Sequence, residues 1–386
     1  MKKTIIAVAL LAAFAGGIFT ALCAQGLLFR PAPESPALEK AKEVYALLDE
    51  RYIGEVDEDV MCDSVAEAMV FATGDRWSYY IPAEEMELHQ EQVENAYVGI
   101  GVTVQLEEEN TVRVTEVVPG GPAYQAGVRV DDVFVSVDGT ACAGLSLAEV
   151  RKLVRGEVGT EVQITMLRGD RELEFRIVRA SLQNEVVRDR MIGDTGYIAI
   201  YNFDATSAEK AIESVKRLQS QGAKSLLFDV RFNPGGLKGE LLTLLDFLLP
   251  EGTLFRSEDY LGRENVDRSD ASCVDLPMAV LVNQDSYSAA EFFAAALSEY
   301  GVAKVFGTRT CGKGYFQQTM RLSDGSAINL SVGKYFTPDG VSLADAGGLV
   351  PDETVELTED DQRELALHRL DPAEDEQLQA ALASLQ

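Results

Sequence analysis

SLLFDVRFNPGG, residues 225–236, runs a short apolar stretch into a turn that holds two glycines. The stretch is too short for a helix and has no polar face, so it reads as a strand buried on both sides. A helical segment, 241–249, follows it. The same grammar recurs around it: YIAIYNF (197–203) is a strand followed by a helix over 207–221, and MAVLVN (278–283) is a buried strand followed by an alanine-rich helix over 289–300. Buried strands alternating with helices predict an α/β fold with a mainly parallel core. At the turn, Gly235 and Gly236 let backbone N–H groups point into a cleft at a helix start, where an anion or a developing oxyanion is stabilised. A tight turn that needs glycine for conformation alone reads equally well.

Two further segments carry chemistry. In VNQDSYSAAEFFAAAL (282–297), Ser288 stands where a buried strand passes into a helix, the geometry that exposes a nucleophile. Ser288 with Glu291 three residues on also reads as a capping box, and Ser286 is a second candidate cap. In GTRTCGKGYFQ (307–317), Lys313 lies between two glycines in an otherwise apolar region. A lysine serves as a general base only when desolvation lowers its pKa; a solvated loop lysine is the alternative. The segment lacks the upstream glycine spacing and the following Ser or Thr of a phosphate-binding loop.

Composition narrows the chemistry. The 386 residues include 63 acidic and 34 basic ones, a net charge of −29 that repels phosphate backbones and argues against nucleic acid as a partner. The five cysteines are scattered without a CxxC pair, so neither a zinc site nor a disulfide framework is expected; they read as free or singly buried thiols, with one bridge left open. Only two histidines are present, His89 and His368, both in polar surroundings that read as surface. A His-based triad or metal site has little to draw on.

At the amino terminus Lys2 and Lys3 precede an uncharged run, 4–29, about as long as a bilayer-spanning helix. The lysines place that end in the cytoplasm and the rest outside it. Residues 1–30 therefore read as a signal or membrane anchor, with a secreted form if it is cleaved. Residues 31–96 read as a Pro-rich linker and helical region, in which DRWSYY (75–80) is a loop with aromatic anchors. Residues 97–182 read as a compact set of strands with a hairpin turn at Asp138-Gly139 and a short helix after Ser146. Residues 183–357 form the α/β core, and 358–386 a charged tail of helical bias that packs on the core or on a partner.

In this order the segments resemble the carboxyl-terminal processing proteases, also called tail-specific proteases, over about 37–355. DVRFNPGG resembles that family's glycine-turn signature, SYSAAE its nucleophile motif, GKGYFQ its lysine motif, and GLVPD (348–352) the motif closing its core. The resemblance implies a crotonase- or ClpP-like core and a serine endopeptidase in which Lys313, neutral, takes the proton of Ser288. Gln317 would orient the lysine, and the N–H groups of Ala289 and of Gly235 or Gly236 would hold the oxyanion. No metal or other cofactor is implied. YVGIGV (97–102) resembles the carboxylate-binding loop of PDZ domains. That assigns peptide binding to Gly99, Ile100 and Gly101, and signalling to the core to Arg155. The implied partners are protein or peptide substrates with free C-termini, cleaved near those ends, and the membrane through the first helix. A second copy of the chain and an activating partner stay open. Three positions depart from the family pattern: Tyr287 and Ala290 beside the nucleophile, and Cys311 before the lysine. A catalytically inactive PDZ adaptor on the same fold is the rival reading, and the intact Ser288 and Lys313 argue against it. A trypsin-like PDZ protease would need a histidine in a β-barrel core.

Overall fold

The computed structural model describes residues 35–107, 111–367 and 369–386. The anchor expected over 1–30 and His368 lie outside the described residues. No helix among the described residues is long and apolar enough to cross a membrane. The chain divides into one unit up to Ala68 and another from Met69 onward. In the first, Pro36 opens the helix Pro36–Arg51 at a position where its missing N–H costs nothing. None of that helix is buried, and its Tyr45 hydroxyl donates to Glu58 at 3.0 Å.

The second unit is built on a six-stranded sheet in the order Val187–Ile192, Thr195–Ile200, Ser225–Asp229, Met278–Val282, Ala303–Gly307, Glu353–Thr354. The first pair is antiparallel and the rest parallel. Every residue of Ser225–Asp229 and Met278–Val282 is buried. Strand alternation sends their side chains to two different cores. Leu226, Phe228, Val280 and Val282 pack with the helices Ser207–Ser220, Lys238–Leu248 and Ala289–Glu299. Leu227, Ala279 and Leu281 pack on the other face against Leu378 and Ala381 of the helix Glu376–Ser384.

Residues 358–386, read as a charged tail of helical bias that packs on the core or on a partner, take the first course: Leu378 and Ala381, three apart, present one apolar stripe to the core. The acidic residues around the stripe hide it in the sequence. Asp375 caps this helix by accepting the N–H of Leu378 at 3.0 Å. It also faces Arg231, whose guanidinium is buried and donates to Asp375, Gln377 and Asp229.

A correction concerns the strands. A five-stranded antiparallel sheet, Tyr79–Ile81, Gly252–Asp259, Glu264–Ser269, Tyr315–Arg321 and Ala327–Phe336, stands beside the parallel one. Its members lack continuous apolar runs; ENVDRS, over Glu264–Ser269, is largely exposed. DRWSYY, read as a loop, ends in this sheet: Tyr79, Tyr80 and Ile81 pair with Asn329, Ile328 and Ala327.

Residues 97–182 hold an antiparallel sheet in the order Val102–Glu107, Thr111–Val117, Val133–Val137, Glu161–Arg168, Arg171–Val178. Asp138 and Gly139 both take positive φ, 46° and 80°, the conformation that a tight hairpin turn requires. The helix Leu147–Val154 starts in a capping box between Ser146 and Glu149. The strands Ala96–Gly99 and Ala180–Gln183 pair with each other and bring the two ends of the unit together. Cys62, Cys142, Cys273 and Cys311 are all free thiols.

The Arg231–Asp375 pair gives the first prediction. Asp375→Ala takes one of two carboxylates from a buried guanidinium that keeps Asp229, and losing hydrogen bonds between charged groups costs about 2 kcal/mol. Urea denaturation of the variant should show a loss of that size. An unchanged midpoint would mean that the carboxyl-terminal helix docks without the pair.

Candidate active site

The strand Met278–Val282 delivers the chain to Ser288 through a turn locked from several sides. The Ser286 hydroxyl donates to the carbonyl of Val230 at 2.7 Å and accepts the N–H of Asn283, so Ser286 is not the helix cap. The Asn283 carboxamide oxygen accepts the N–H of Phe232 at 2.9 Å, and the N–H of Tyr287 donates to the carbonyl of Asn233. Ser288 sits at φ 59°, ψ −122°, a conformation that L residues avoid and that the surrounding bonds hold in place. The strain turns its side chain out at the start of the helix Ala289–Glu299.

The glycine turn packs directly on this elbow. A Cβ on Gly235 would lie 2.7 Å from the Ser288 Cβ, and one on Gly236 would lie 2.4 Å from the carbonyl carbon of Phe203. Only glycine fits at either place. The N–H of Gly235 donates to the Asn233 side chain at 2.8 Å, which removes it as a donor to the cleft. The N–H groups of Gly236 and Ala289 have no bonded acceptor among the described residues.

Lys313 arrives on the loop between the strands Ala303–Gly307 and Tyr315–Arg321. Gly312 beside it takes φ 82°, and its missing side chain admits the backbone of Gly348 at close range. Glu291 joins this loop to the elbow. Its carboxylate is fully buried and accepts the N–H groups of Ser288, Gly312 and Lys313 at 3.1, 3.2 and 3.1 Å. Burial raises its pKa to about 7 against the lowering effect of those bonds. The Tyr335 hydroxyl donates to the Lys313 carbonyl, and its ring packs on Phe255 and Phe292.

Burial lowers the Lys313 pKa to about 8, even though Asp75, Glu291 and Cys311 act to raise it. Its Nζ lies 4.7 Å over the Trp77 ring, which in turn stacks near Tyr287 at 5.6 Å. Burial pushes Asp75 up, but bonds from Ser331, Ser78 and Trp77 outweigh it and hold the carboxyl below its ordinary range. The Gln317 amide nitrogen donates to the Tyr315 carbonyl and to the Ser331 hydroxyl. Among the described residues no hydrogen bond joins Lys313 Nζ to Ser288 Oγ.

Ser288, Lys313, Gln317, Ala289, Gly235 and Gly236 all line one cleft of about 770 Å³. His89 lines it too, which corrects its reading as a surface residue. Its helix, Met86–Glu94, turns that face inward, the ring meets Tyr79 edge-on, and burial lowers its pKa. Asp75, Trp77, Asn233 and Tyr335 were not singled out from the sequence. Each serves the site through a contact with residues distant in the chain; DRWSYY holds two of them and the glycine-turn segment holds Asn233, but neither stretch marked them out.

The second groove lies between the strand Val102–Glu107 and the helix Leu147–Val154, with a volume of about 340 Å³. Val102, Val104, Val150 and Val154 line it, with Gly99, Ile100 and Gly101 at one end. The N–H groups of Ile100 and Gly101 have no bonded acceptor among the described residues. Arg155 lies at this end, 2.7 Å from the Glu91 carboxylate.

Residues 194–355 match peptidase family S41, and residues 113–168 match the PDZ domain. The protease-like domain belongs to peptidase family S41. A probable CtpA-like serine protease of Staphylococcus aureus is 33% identical over 323 residues, which is 83% of this chain and 65% of that protein. One from Staphylococcus epidermidis is 32% identical over 322 residues, 82% of this chain and 65% of that protein. The chain thus spans about 65% of the length of the curated relatives that it matches. Among solved structures, a photosystem II D1 C-terminal processing protease is 26% identical with a TM-score of 0.50, over 82% of this chain and 86% of that one. A putative S41 protease from Bacteroides fragilis shares the fold at 17% identity, with a TM-score of 0.55 and 92% of each chain covered.

The electrostatics of the lysine give a direct test. Asp75→Asn removes a negative charge that favours the ammonium form while keeping the shape of the group. The Lys313 pKa should fall below about 8 in a carbon-detected NMR titration. An unchanged value would mean that Asp75 does not face the amine.

Proposed function

We propose that the chain is a serine endopeptidase that cuts exported proteins near their C-termini through Ser288 and Lys313. The observation that carries this reading is the common cleft: a strained serine, a lysine of depressed pKa and two free N–H groups line one cavity. Lys313, deprotonated, takes the Ser288 proton, and the Oγ attacks the peptide carbonyl to give an acyl-enzyme. The lysine ammonium then returns the proton to the leaving amine, and water, deprotonated by the same lysine, hydrolyses the ester. Ala289 and Gly236 donate to the oxyanion, while the Gln317 oxygen receives the lysine N–H. In this reading Lys313 Nζ and Ser288 Oγ, not hydrogen-bonded among the described residues, come together when the peptide is bound. The strand–helix units over 195–307 support the crotonase- or ClpP-like description of the core.

The PDZ unit serves as recognition element and gate in this reading. A peptide adds along Val102–Glu107 and its terminal carboxylate meets the Ile100 and Gly101 N–H groups and Arg155. The helix Met86–Glu94 is the common wall: Leu88, Glu91 and Gln92 line the groove, and His89, Gln92 and Val93 line the cleft. A carboxylate that draws Arg155 from Glu91 acts on a helix that borders the serine. The uncharged run over 4–29 supports an anchored, extracytoplasmic enzyme; full-length protein found only in the soluble cytoplasmic fraction would end that part of the reading.

Ser288→Ala and Lys313→Arg should each abolish cleavage of an unstructured peptide with the circular dichroism spectrum retained. A guanidinium stays protonated and cannot accept the proton. In the wild type kcat/KM should rise with pH through about 8, because Lys313 is protonated and idle below that pKa and neutral above it. Full activity of a folded Lys313→Arg variant would favour the rival reading of another base. Peptide affinity for the PDZ groove should drop about tenfold or more on amidation of the peptide's C-terminus, since a charge-assisted bond is lost.

A further inference from the structure

Among the described residues that line the cleft, Asp204 is a charged group that neither the proposed chemistry nor the fold employs. It follows Phe203, whose backbone bridges to the glycine turn: the Phe203 N–H donates to the Gly235 carbonyl and the Leu237 N–H to the Phe203 carbonyl, both at 2.7 Å. Gly235 in turn packs so closely on Ser288 that a Cβ there would lie 2.7 Å from the serine's own, so the backbone before Asp204 is joined to the turn that packs on the nucleophile. Its carboxylate lines the same cleft as Ser288. No hydrogen bond or ion pair to that carboxylate is formed among the described residues. The charge that acts on it is Glu240, of the same sign, and Glu240 is committed to the start of the helix Ser207–Ser220, where it accepts the Ala208 N–H at 2.8 Å.

The cations nearby are spoken for. Lys238 pairs with Asp267 at 2.6 Å and lies over the Phe255 ring. Lys313 lies over Trp77, and His89 has its pKa lowered by burial and is neutral at pH 7. Burial and Glu240 raise the Asp204 pKa to about 6, which still leaves it ionised at neutral pH. A half-buried carboxylate of this kind lacks a counter-charge, and burying such a group is costly until one arrives. Next to it Leu237 and Leu241 form an apolar wall. An apolar wall ending in an acid suits a side chain with a hydrocarbon stem and a cationic head.

We infer that Asp204, with Leu237 and Leu241, forms a subsite for a lysine or arginine side chain flanking the scissile bond, so that this enzyme favours a basic residue beside the bond it cuts. The inference rests on the peptidase reading above and deepens it. The net charge of −29 acts in the same direction, concentrating cationic peptides around the molecule.

The test uses the full-length protein and quenched fluorescent peptides that differ only in carrying lysine or norleucine at each position flanking the cleaved bond. Norleucine keeps the stem and removes the charge. At one position the lysine peptide should exceed the norleucine peptide in kcat/KM by about tenfold, the worth of one partly desolvated charge-assisted bond. In Asp204→Asn that ratio should fall to about one, and in Asp204→Lys a glutamate peptide should become the preferred one. The ratio cancels any general loss of activity in the variants. Cleavage of the norleucine peptide with no gain for lysine at any position would overturn the subsite and leave the peptidase reading intact. So would a lysine preference that survives in Asp204→Asn. Absence of cleavage of every peptide, together with no labelling of Ser288 by a fluorophosphonate, would overturn both.

Discussion

A carboxylate with no contact to solvent, that of Glu291, receives three backbone N–H groups drawn from two separate loops. An unsatisfied charge at that depth would be prohibitive; three donors make it tolerable, and the pKa near 7 records how closely the two effects balance. One donor belongs to Ser288 and two to the lysine loop. The serine elbow and the lysine therefore cannot separate without stripping bonds from a buried acid. The capping box expected from the sequence is the local half of this arrangement, and the other half crosses to residues 312 and 313.

The rest of the site is arranged around that junction by close backbone packing. Gly235 and Gly236 let the turn after Ser225–Asp229 press on Ser288 and Phe203, and Asn233 uses its side chain to hold the turn in shape. Upstream, Arg231 ties the same turn to Asp375 near the end of the chain. Rigid support of this kind fixes the Gly236 and Ala289 N–H groups relative to Ser288, and in the proposed reaction these donors meet the developing charge. It also makes the carboxyl-terminal helix a structural member of the site.

Desolvation links this packing to the lysine. Trp77, Tyr335 and the glycine-flanked loop keep water from the amine, and burial lowers its pKa to about 8 against the pull of Asp75 and Glu291. An amine with that pKa is neutral in a useful fraction of molecules near neutral pH, whereas an exposed lysine, at about 10.4, is not. Its Nζ lies over the Trp77 ring, with no hydrogen bond to Ser288 Oγ among the described residues. The helix Met86–Glu94, shared by groove and cleft, is the element through which such a signal passes in the proposed reading.

The parallel sheet was legible in the sequence because short buried strands such as MAVLV, and the LLF run within Ser225–Asp229, are apolar on both faces. Ser288, Lys313 and the two glycines were legible because each sits in a short segment whose residue types are set by local geometry. The antiparallel sheet, the seating of the Leu378 helix on the core rather than on a partner, and the cleft face of His89 were not, since each is recruited by partners far along the chain. Asp204 belongs with them: nothing in NFDAT distinguishes it from any turn aspartate. Local sequence determines which residues are able to bend, cap or attack. Which of two glycine N–H groups stays free, which lysine is dried and which acid lacks a cation depend on packing between distant segments, and these the tertiary structure alone decides.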